Sequence, residues 1–233
     1  MNQNHPTLVS PETWLAARRE LLHDEKELTA RRERLAARRR ALPWVKVTQP
    51  YTFDSPHGLV SLSDLFEGRS QLVVYHFMFA PENEYGCKSC SFWADHFDGE
   101  IPHLKARDTS FVAISRAPLE KLQRQARRLS WKFPWVSSGK TTFNYDFAVS
   151  FERPTDPDTI YNYARSPVPH PDMPGYSVFV RGSDGAIYHT YSTFSRGIDL
   201  NNGTYNVLDM TPKGRDEGER IMHWVRYHDE YQA

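Results

Sequence analysis

The pattern of apolar and charged positions predicts a long helix at the start of the chain. Ser10 provides an N-cap, Pro11 suits the first helical position, and the pattern continues until Pro43 ends it. The helix carries a leucine at every seventh position, namely Leu21, Leu28, Leu35 and Leu42. The companion heptad positions are mostly charged, which does not suit a self-sufficient coiled coil. We therefore expect this helical arm, residues 1–43, to pack on a second subunit in a homodimer, with packing on its own domain as the alternative.

The middle of the chain alternates between strand and helix patterns. Residues 72–79 are almost continuously apolar, as in a central strand covered on both faces, and a helix that starts at the cysteines is predicted to run to about residue 105. Residues 110–115 form a second apolar strand, and residues 119–129 are apolar on one helical face. Strand, helix, strand and helix at these lengths predict a parallel βαβ unit.

The last third of the chain is less regular. Residues 151–175 carry six prolines, which predict an ordered excursion or a lid instead of regular structure. Residues 176–181 and 186–191 predict two strands of a hairpin around an Asp-Gly turn. Thr211 and Pro212 predict the start of a final helix.

Composition and charge exclude several classes of protein. The chain has 233 residues with 29 basic and 29 acidic side chains, so no net charge favours nucleic acid or an anionic membrane. The three arginines at residues 38–40 suit a helix C-terminus, where cations interact favourably with the dipole. No apolar run reaches the roughly 18 residues of a membrane span, and residues 1–10 lack a signal-peptide pattern. We therefore expect a soluble cytoplasmic protein with no nucleic-acid or membrane partner.

Both cysteines of the chain lie three positions apart, between the first central strand and the following helix. A C-x-x-C at this position of an α/β pattern is typical of a thiol–disulfide redox site. Cys87 would lie beside the free N–H groups and the positive dipole end of the helix, and Cys90 would lie in its first turn. This setting lowers a cysteine pKa from roughly 8.5 to about 7 or below and creates the attacking thiolate.

Longer motifs carry a resemblance to a known family. They are QLVVYHFMF, GCKSCSF-AD, WKFPWVSS, FNYDFAVSF, IYHTYSTFSRG and LDMTPKGRDE. Together they resemble a bacterial thioredoxin-like family of predicted dithiol–disulfide oxidoreductases, over nearly the whole chain. The resemblance implies an α/β thioredoxin-like domain at residues 44–233, with a central mixed sheet flanked by helices. It implies that Cys87 attacks a protein or low-molecular-weight disulfide and that Cys90 resolves the product. No organic cofactor is expected, because the chain lacks a phosphate-cradling glycine loop.

The chain departs from ordinary thioredoxins at two places. The residues between its cysteines are Lys88 and Ser89 instead of Gly-Pro, so the redox potential cannot be carried over. Thioredoxins place a cis-proline beside the disulfide, just before the hairpin. The nearest candidate is Pro174, which lies one or two residues from the equivalent position near Tyr176.

The chain also lacks the peroxiredoxin motif P-x-x-x-T-x-x-C. Ala80 stands seven residues before Cys87, where the motif has proline, and Glu84 stands three residues before it, where the motif has threonine. The sequence therefore does not support peroxidase chemistry through that motif.

Four further polar side chains are candidates for supporting roles. His76 lies inside the apolar strand and is either a satisfied core histidine or the buried group that moves protons during exchange. His189 and Tyr191 are expected on one side of their strand, with Arg196 in the turn that follows. These three groups suit recognition of an anionic or polar ligand, and solvent-facing decoration is the alternative.

A binding module without redox turnover is the competing hypothesis. Zinc would have to recruit His96 or His103, whose positions along the predicted helix diverge from Cys90. Copper would need the two thiolates and a distant histidine such as His170 or His189. A small-molecule pocket with incidental cysteines is the third form of this hypothesis. We expect no bound metal.

Overall fold

The computed structural model describes residues 7–232, which divide into two compact units, residues 7–43 and 44–232. The first unit contains helix α1, Pro11–Arg40. Ser10 caps the helix, because its side chain accepts a hydrogen bond from the Thr13 N–H, and the basic last turn suits the dipole. No residue of α1 is buried.

The second unit is built on an eight-stranded sheet. Its strand order is β1-β10-β9-β4-β5-β6-β2-β3, and β7 and β8 form a separate two-stranded hairpin. The strands are β1 (Val45–Lys46), β2 (Thr52–Ser55), β3 (Gly58–Ser61), β4 (Gln71–His76), β5 (Thr109–Ser115), β6 (Trp135–Ser137), β7 (Ile160–Tyr161), β8 (Ala164–Arg165), β9 (Gly175–Arg181) and β10 (Ile187–Phe194).

The connections between the central strands define a thioredoxin-like α/β fold. Strand β4 lies between β5, which is parallel to it, and β9, which is antiparallel. Helices α2 (Lys88–Ala94) and α3 (Phe97–Ala106) connect β4 to β5, and α4 (Leu119–Arg128) connects β5 to the parallel strand β6. The antiparallel hairpin of β9 and β10 completes the sheet. The predicted βαβ unit, the hairpin and the fold class are confirmed.

The sheet has a separate apolar core on each face, because β4 is covered on both sides. One face packs Tyr75 and Phe77 against Cys90 and Trp93 of α2. The other face packs Leu72 and Val74 of β4 into a second cluster. Alternate residues of β4 therefore belong to different environments, and this alternation decides which side chains reach the cysteines.

The proline-rich excursion is ordered and has an apolar cluster of its own. Helix α5 (Phe143–Asp146) precedes it, and the β7–β8 hairpin lies within it. Its anchor is the buried carboxylate of Asp172, whose Oδ1 accepts hydrogen bonds from the Arg116 Nε at 2.7 Å and the Ser150 Oγ at 2.6 Å. A buried carboxylate with both a cation and a hydroxyl partner holds the excursion to the strand ends.

Two predicted helices differ from the structure. The helix after the cysteines breaks between Ala94 and Phe97 into α2 and α3. The final helix predicted from Thr211 is wrong, because the residues after it fold mainly as turns. Gly214 and Gly218 adopt left-handed backbone angles there, which a right-handed helix cannot contain. Helix α6 (Gly203–Leu208) ends before this region.

Within residues 7–232, no helix is long and apolar enough to cross a membrane. A cytoplasmic location stays a prediction.

The homodimer also stays a prediction, and the leucine stripe of α1 provides its test. Burying four leucines contributes on the order of 6–12 kcal/mol before the entropy cost of association. We expect light scattering to give twice the chain mass for the intact protein, and Leu28→Gln to shift the equilibrium toward monomer. Glu20→Gln, on the same helix, is the matched control and should change nothing. A monomeric intact chain would rule the dimer out.

Candidate functional site

The two thiols occupy the start of α2, at the end of the central strand. Cys87 is the N-cap residue with extended backbone angles, and its N–H donates to the Met78 carbonyl at 3.0 Å. Cys90 lies one turn into the helix. Cys87 is partly exposed, whereas Cys90 is only 2% exposed, and both are free thiols. The site therefore has one accessible thiol and one covered thiol.

Gly86 fixes the path of the chain into this helix. Its N–H donates to the Gln125 Oε1 at 2.6 Å, and its carbonyl accepts from the Tyr227 hydroxyl at 2.6 Å. A Cβ at this position would lie 2.7 Å from the Phe77 Cε1, so any other residue would force the buried Phe77 ring to shift. Both backbone groups of the residue before Cys87 are thus held by side chains from distant parts of the chain.

The surroundings of the two thiols separate their pKa values. Hydrogen bonding from the Cys90 side chain, supported by the Cys90 and Ser89 N–H groups and the Ser89 side chain, lowers the pKa of Cys87 to about 6 against the opposing effect of burial. Burial and the neighbouring Cys87 raise the pKa of Cys90 well above its usual value. With a pKa of about 6, roughly nine-tenths of Cys87 is thiolate at pH 7. At neutral pH Cys87 is therefore the more ionised of the two thiols, and the buried Cys90 favours its protonated form.

Tyr75 is the ionisable side chain that lies behind Cys90. It is fully buried, and its hydroxyl has no hydrogen-bond partner of ordinary geometry among the described residues. Burial and the proximity of Cys90 raise the pKa of Tyr75. The Cys90 sulfur also accepts a hydrogen bond from the Met78 N–H at 3.5 Å. This N–H and the Tyr75 hydroxyl lower the pKa of Cys90, whereas burial raises it more strongly. Sequence reasoning missed Tyr75.

His76 does not reach the cysteines. It follows Tyr75 on β4 and points to the opposite face of the sheet, where its Nε2 lies 2.8 Å from the Ser177 Oγ. Its ring stacks with Phe147 at 6.3 Å between centroids, and burial lowers its pKa to about 3, so it is neutral. His76 is therefore a core histidine whose Nε2 is hydrogen-bonded and whose Nδ1 has no partner among the described residues, and its position gives the predicted proton-moving role no support.

The structure separates the other supporting candidates into two groups. His189 lies on the face of His76 and hydrogen-bonds the Ser192 Oγ at 2.7 Å. A β-bulge between His189 and Tyr191 pairs them with adjacent residues of β9, which point to opposite faces, so they do not share a side. Arg196 is different, because it lines a cavity next to Cys90 and forms an ion pair with Asp199 at 2.6 Å.

Pro174 and Tyr176 lie near the cysteines as expected. Pro174 lines the cavity next to Cys90, and the Tyr176 ring lies 4.9 Å from the Tyr75 ring between centroids. The peptide bond before Pro174 is trans, as are the other peptide bonds that the structure describes. The candidate Pro174 is therefore not a cis-proline.

A C-terminal segment packs beside Cys87, the more exposed of the two thiols. Tyr227 lies beside Cys87, and burial followed by this proximity raises the pKa of Tyr227 to about 12. Arg128 of α4 holds the segment, because its Nε pairs with Asp229 at 2.8 Å and its guanidinium lies 4.7 Å from the centre of the Tyr227 ring. Lys88, between the cysteines, pairs with Glu230 at 2.7 Å. This segment, residues 227–230, is the strap.

No group of three or more histidine, cysteine or acidic side chains within residues 7–232 could hold a metal ion. Two of the four histidines considered as partners of the thiols, His96 and His189, make other contacts. His96 hydrogen-bonds the Thr204 hydroxyl at 3.2 Å, and His189 lies on the far face of the sheet.

A family described as "Bacterial protein of unknown function (DUF899)" matches residues 3–231. The chain belongs to this family. No curated protein matches its sequence.

Solved structures similar to this DUF899 chain include three peroxiredoxins. The peroxidoxin BcpB of Mycobacterium tuberculosis has 17% identity and a TM-score of 0.46, over 71% of this chain and 97% of its own. Peroxiredoxin Q of Xanthomonas campestris has 13% identity and a TM-score of 0.47, over 68% and 93%. A mutant of PrxQ of Xylella fastidiosa has 14% identity and a TM-score of 0.45, over 70% and 95%. The fold assignment rests on the strand topology described above.

The separation of pKa values predicts a pH profile for Cys87. Only the thiolate reacts, so we expect the rate of Cys87 alkylation to rise with pH, with half of its maximum at about pH 6. Cys90→Ala removes the largest stabilising contact and should raise this pKa. If it rises to about 7.5, the reactive fraction at pH 7 falls about fourfold.

Cys90→Ser is the matched control, because its hydroxyl can still donate to the Cys87 sulfur, and its profile should shift less than that of Cys90→Ala. Peptide mass spectrometry of the alkylated chain gives the rate at each cysteine. A midpoint near pH 8.5 in the unmodified protein would contradict the description of this site.

Proposed function

We propose that this chain is a thiol–disulfide oxidoreductase that works through the Cys87–Cys90 pair. The observation that carries the proposal is the asymmetry of the two thiols. Cys87 caps a helix, is partly exposed and has a lowered pKa. Cys90 is buried one turn away, has a raised pKa and hydrogen-bonds Cys87. A nucleophile and a protected resolving thiol need these different surroundings.

The reaction proceeds in two exchanges. The Cys87 thiolate attacks one sulfur of a disulfide, forms a mixed disulfide and releases the other half as a thiolate. The Cys90 thiol then loses its proton to the leaving sulfur and attacks Cys87, which releases the second half as a thiol. The substrate disulfide gains two electrons, and the cysteine pair loses two and closes a disulfide. The same steps in reverse oxidise a dithiol.

The surroundings of Cys90 favour its ionisation at the second exchange. In the resting site Cys90 donates to the anionic Cys87, but a mixed disulfide carries no such charge. The Met78 N–H remains beside the Cys90 sulfur and favours its thiolate form. No cofactor takes part in this scheme, and a protein or low-molecular-weight disulfide or thiol is the partner.

Trapping with an aromatic disulfide tests the proposal. With 5,5′-dithiobis(2-nitrobenzoate), the unmodified chain should release about two thiolates per chain and end as the Cys87–Cys90 disulfide. Cys90→Ser should release one thiolate and keep a stable mixed disulfide on Cys87. Cys87→Ser should keep almost none, because the remaining thiol is buried and protonated at pH 7.

Denatured samples of both variants provide the control, since each should then react at its single cysteine. Faster reaction of Cys90 than of Cys87 at pH 7 would reverse the two roles. Reaction of both folded thiols no faster than free cysteine would refute the oxidoreductase function.

A further inference from the structure

A cavity of about 180 Å³ lies next to the covered thiol, and Cys90 is part of its wall. Most of its lining is apolar, with aromatic and sulfur-containing side chains from separate segments of the chain: Tyr75, Trp93, Tyr161, Met173, Tyr205 and Met222. The segment after β10 closes one side. This segment begins at residues 195–201 and returns at Ile221. One side of the cavity is thus built by residues that follow the last strand of the thioredoxin-like sheet.

The Tyr75 hydroxyl is the unusual polar group of this cavity. It is fully buried and has no hydrogen-bond partner of ordinary geometry among the described residues. Buried hydroxyls normally find a partner, because leaving one unpaired is costly. The two other tyrosine hydroxyls of the lining are already used: Tyr161 donates to the Pro174 carbonyl and accepts from the Ser195 N–H, and Tyr205 donates to Glu217. Of the three tyrosines, Tyr75 is therefore the donor left for a ligand.

The size and lining of the cavity define the kind of ligand. An apolar cavity of about 150 Å³ accommodates benzene, so this one holds a single ring or a short alkyl group with one or two further atoms. The guanidinium of Arg196 is already paired with Asp199, so the ligand needs no negative charge. A folded protein cannot insert its backbone into such a volume, whereas a small molecule can.

We propose that this cavity binds a small apolar group, of the size of one aromatic ring, that carries a hydrogen-bond acceptor for the Tyr75 hydroxyl. This proposal also rests on the proposed function of the cysteine pair. With that function, the substrate is a low-molecular-weight disulfide or thiol that carries such a group. The group occupies the cavity, and its sulfur lies at the Cys90 wall, next to Cys87. The exchange then proceeds as written above, with the bound half released as a thiol.

Calorimetry on the reduced full-length chain tests binding without any redox step. Acetophenone has a ring and a carbonyl acceptor, and ethylbenzene has nearly the same shape without the acceptor. We expect acetophenone to bind about two- to tenfold more tightly, the contribution of one hydrogen bond. Tyr75→Phe should remove this difference and leave the binding of ethylbenzene. No binding of either probe, or the same difference in Tyr75→Phe, would overturn the cavity assignment.

A variant in which a larger side chain fills the cavity tests the proposed substrate class. Ile221 lines the cavity and Val207 does not, and both are 57% exposed, so tryptophan should be tolerated at each. The rate of Cys87 oxidation is measured with 2,2′-dipyridyl disulfide and with the larger, charged glutathione disulfide, and each rate is divided by that of free cysteine with the same disulfide. The measured quantity is the first of these relative rates divided by the second. We expect Ile221→Trp to lower this ratio about tenfold and Val207→Trp to leave it unchanged.

The two experiments distinguish the cavity from the chemistry. A ratio that is the same in the unmodified chain and in both tryptophan variants refutes the substrate class, while rapid oxidation of Cys87 still supports the oxidoreductase. Oxidation no faster than that of free cysteine refutes the oxidoreductase and with it the substrate class. Calorimetry then still decides whether the cavity binds the ring.

Discussion

The position of Gly86 is the constraint on which the site depends. Its two backbone groups are held by Gln125 of α4 and Tyr227 of the strap, and its missing side chain lets Phe77 approach. The chain can therefore turn directly from the central strand into α2. Cys87 becomes the cap of that helix, where free N–H groups stabilise a thiolate. A side chain at residue 86 would press on the buried Phe77 ring and on the Gln125 amide, directly beside the helix cap.

The two faces of the sheet have different roles. On one face, Tyr75, Cys90 and the apolar cavity surround the covered thiol. On the other face, His76 and His189 are linked through serine hydroxyls and serve the core. The difference follows from strand alternation, because neighbouring residues of β4 point to opposite faces. A chemistry based on the thiols is confined to the first face, and the histidines of the second do not contribute to it.

Sequence patterns were sufficient for the central strands, the hairpin and the place of Cys87 and Cys90 at the start of a helix, because these depend on local periodicity and on the spacing of the two cysteines. They were insufficient where an alternating or helical pattern was interrupted. A strand that is apolar on both faces does not reveal which of Tyr75 and His76 meets the helix, and the bulge in β10 is not visible as a composition change. The turns at Gly214 and Gly218 replaced a helix through positive backbone angles. The cavity depends on contacts between distant segments, which no local pattern encodes.

The reduction potential of the Cys87–Cys90 pair tests the central claim most directly. Stabilising the Cys87 thiolate stabilises the reduced form and makes the disulfide more oxidising. Thioredoxin, with a cysteine pKa of about 7, has a potential near −270 mV, and a member of the fold with a pKa of about 3.5 has one near −120 mV. A pKa of about 6 for Cys87 predicts a single two-electron transition between these values in a glutathione titration read by mass spectrometry. Failure to form the intramolecular disulfide, or a potential more negative than about −270 mV, would contradict the account.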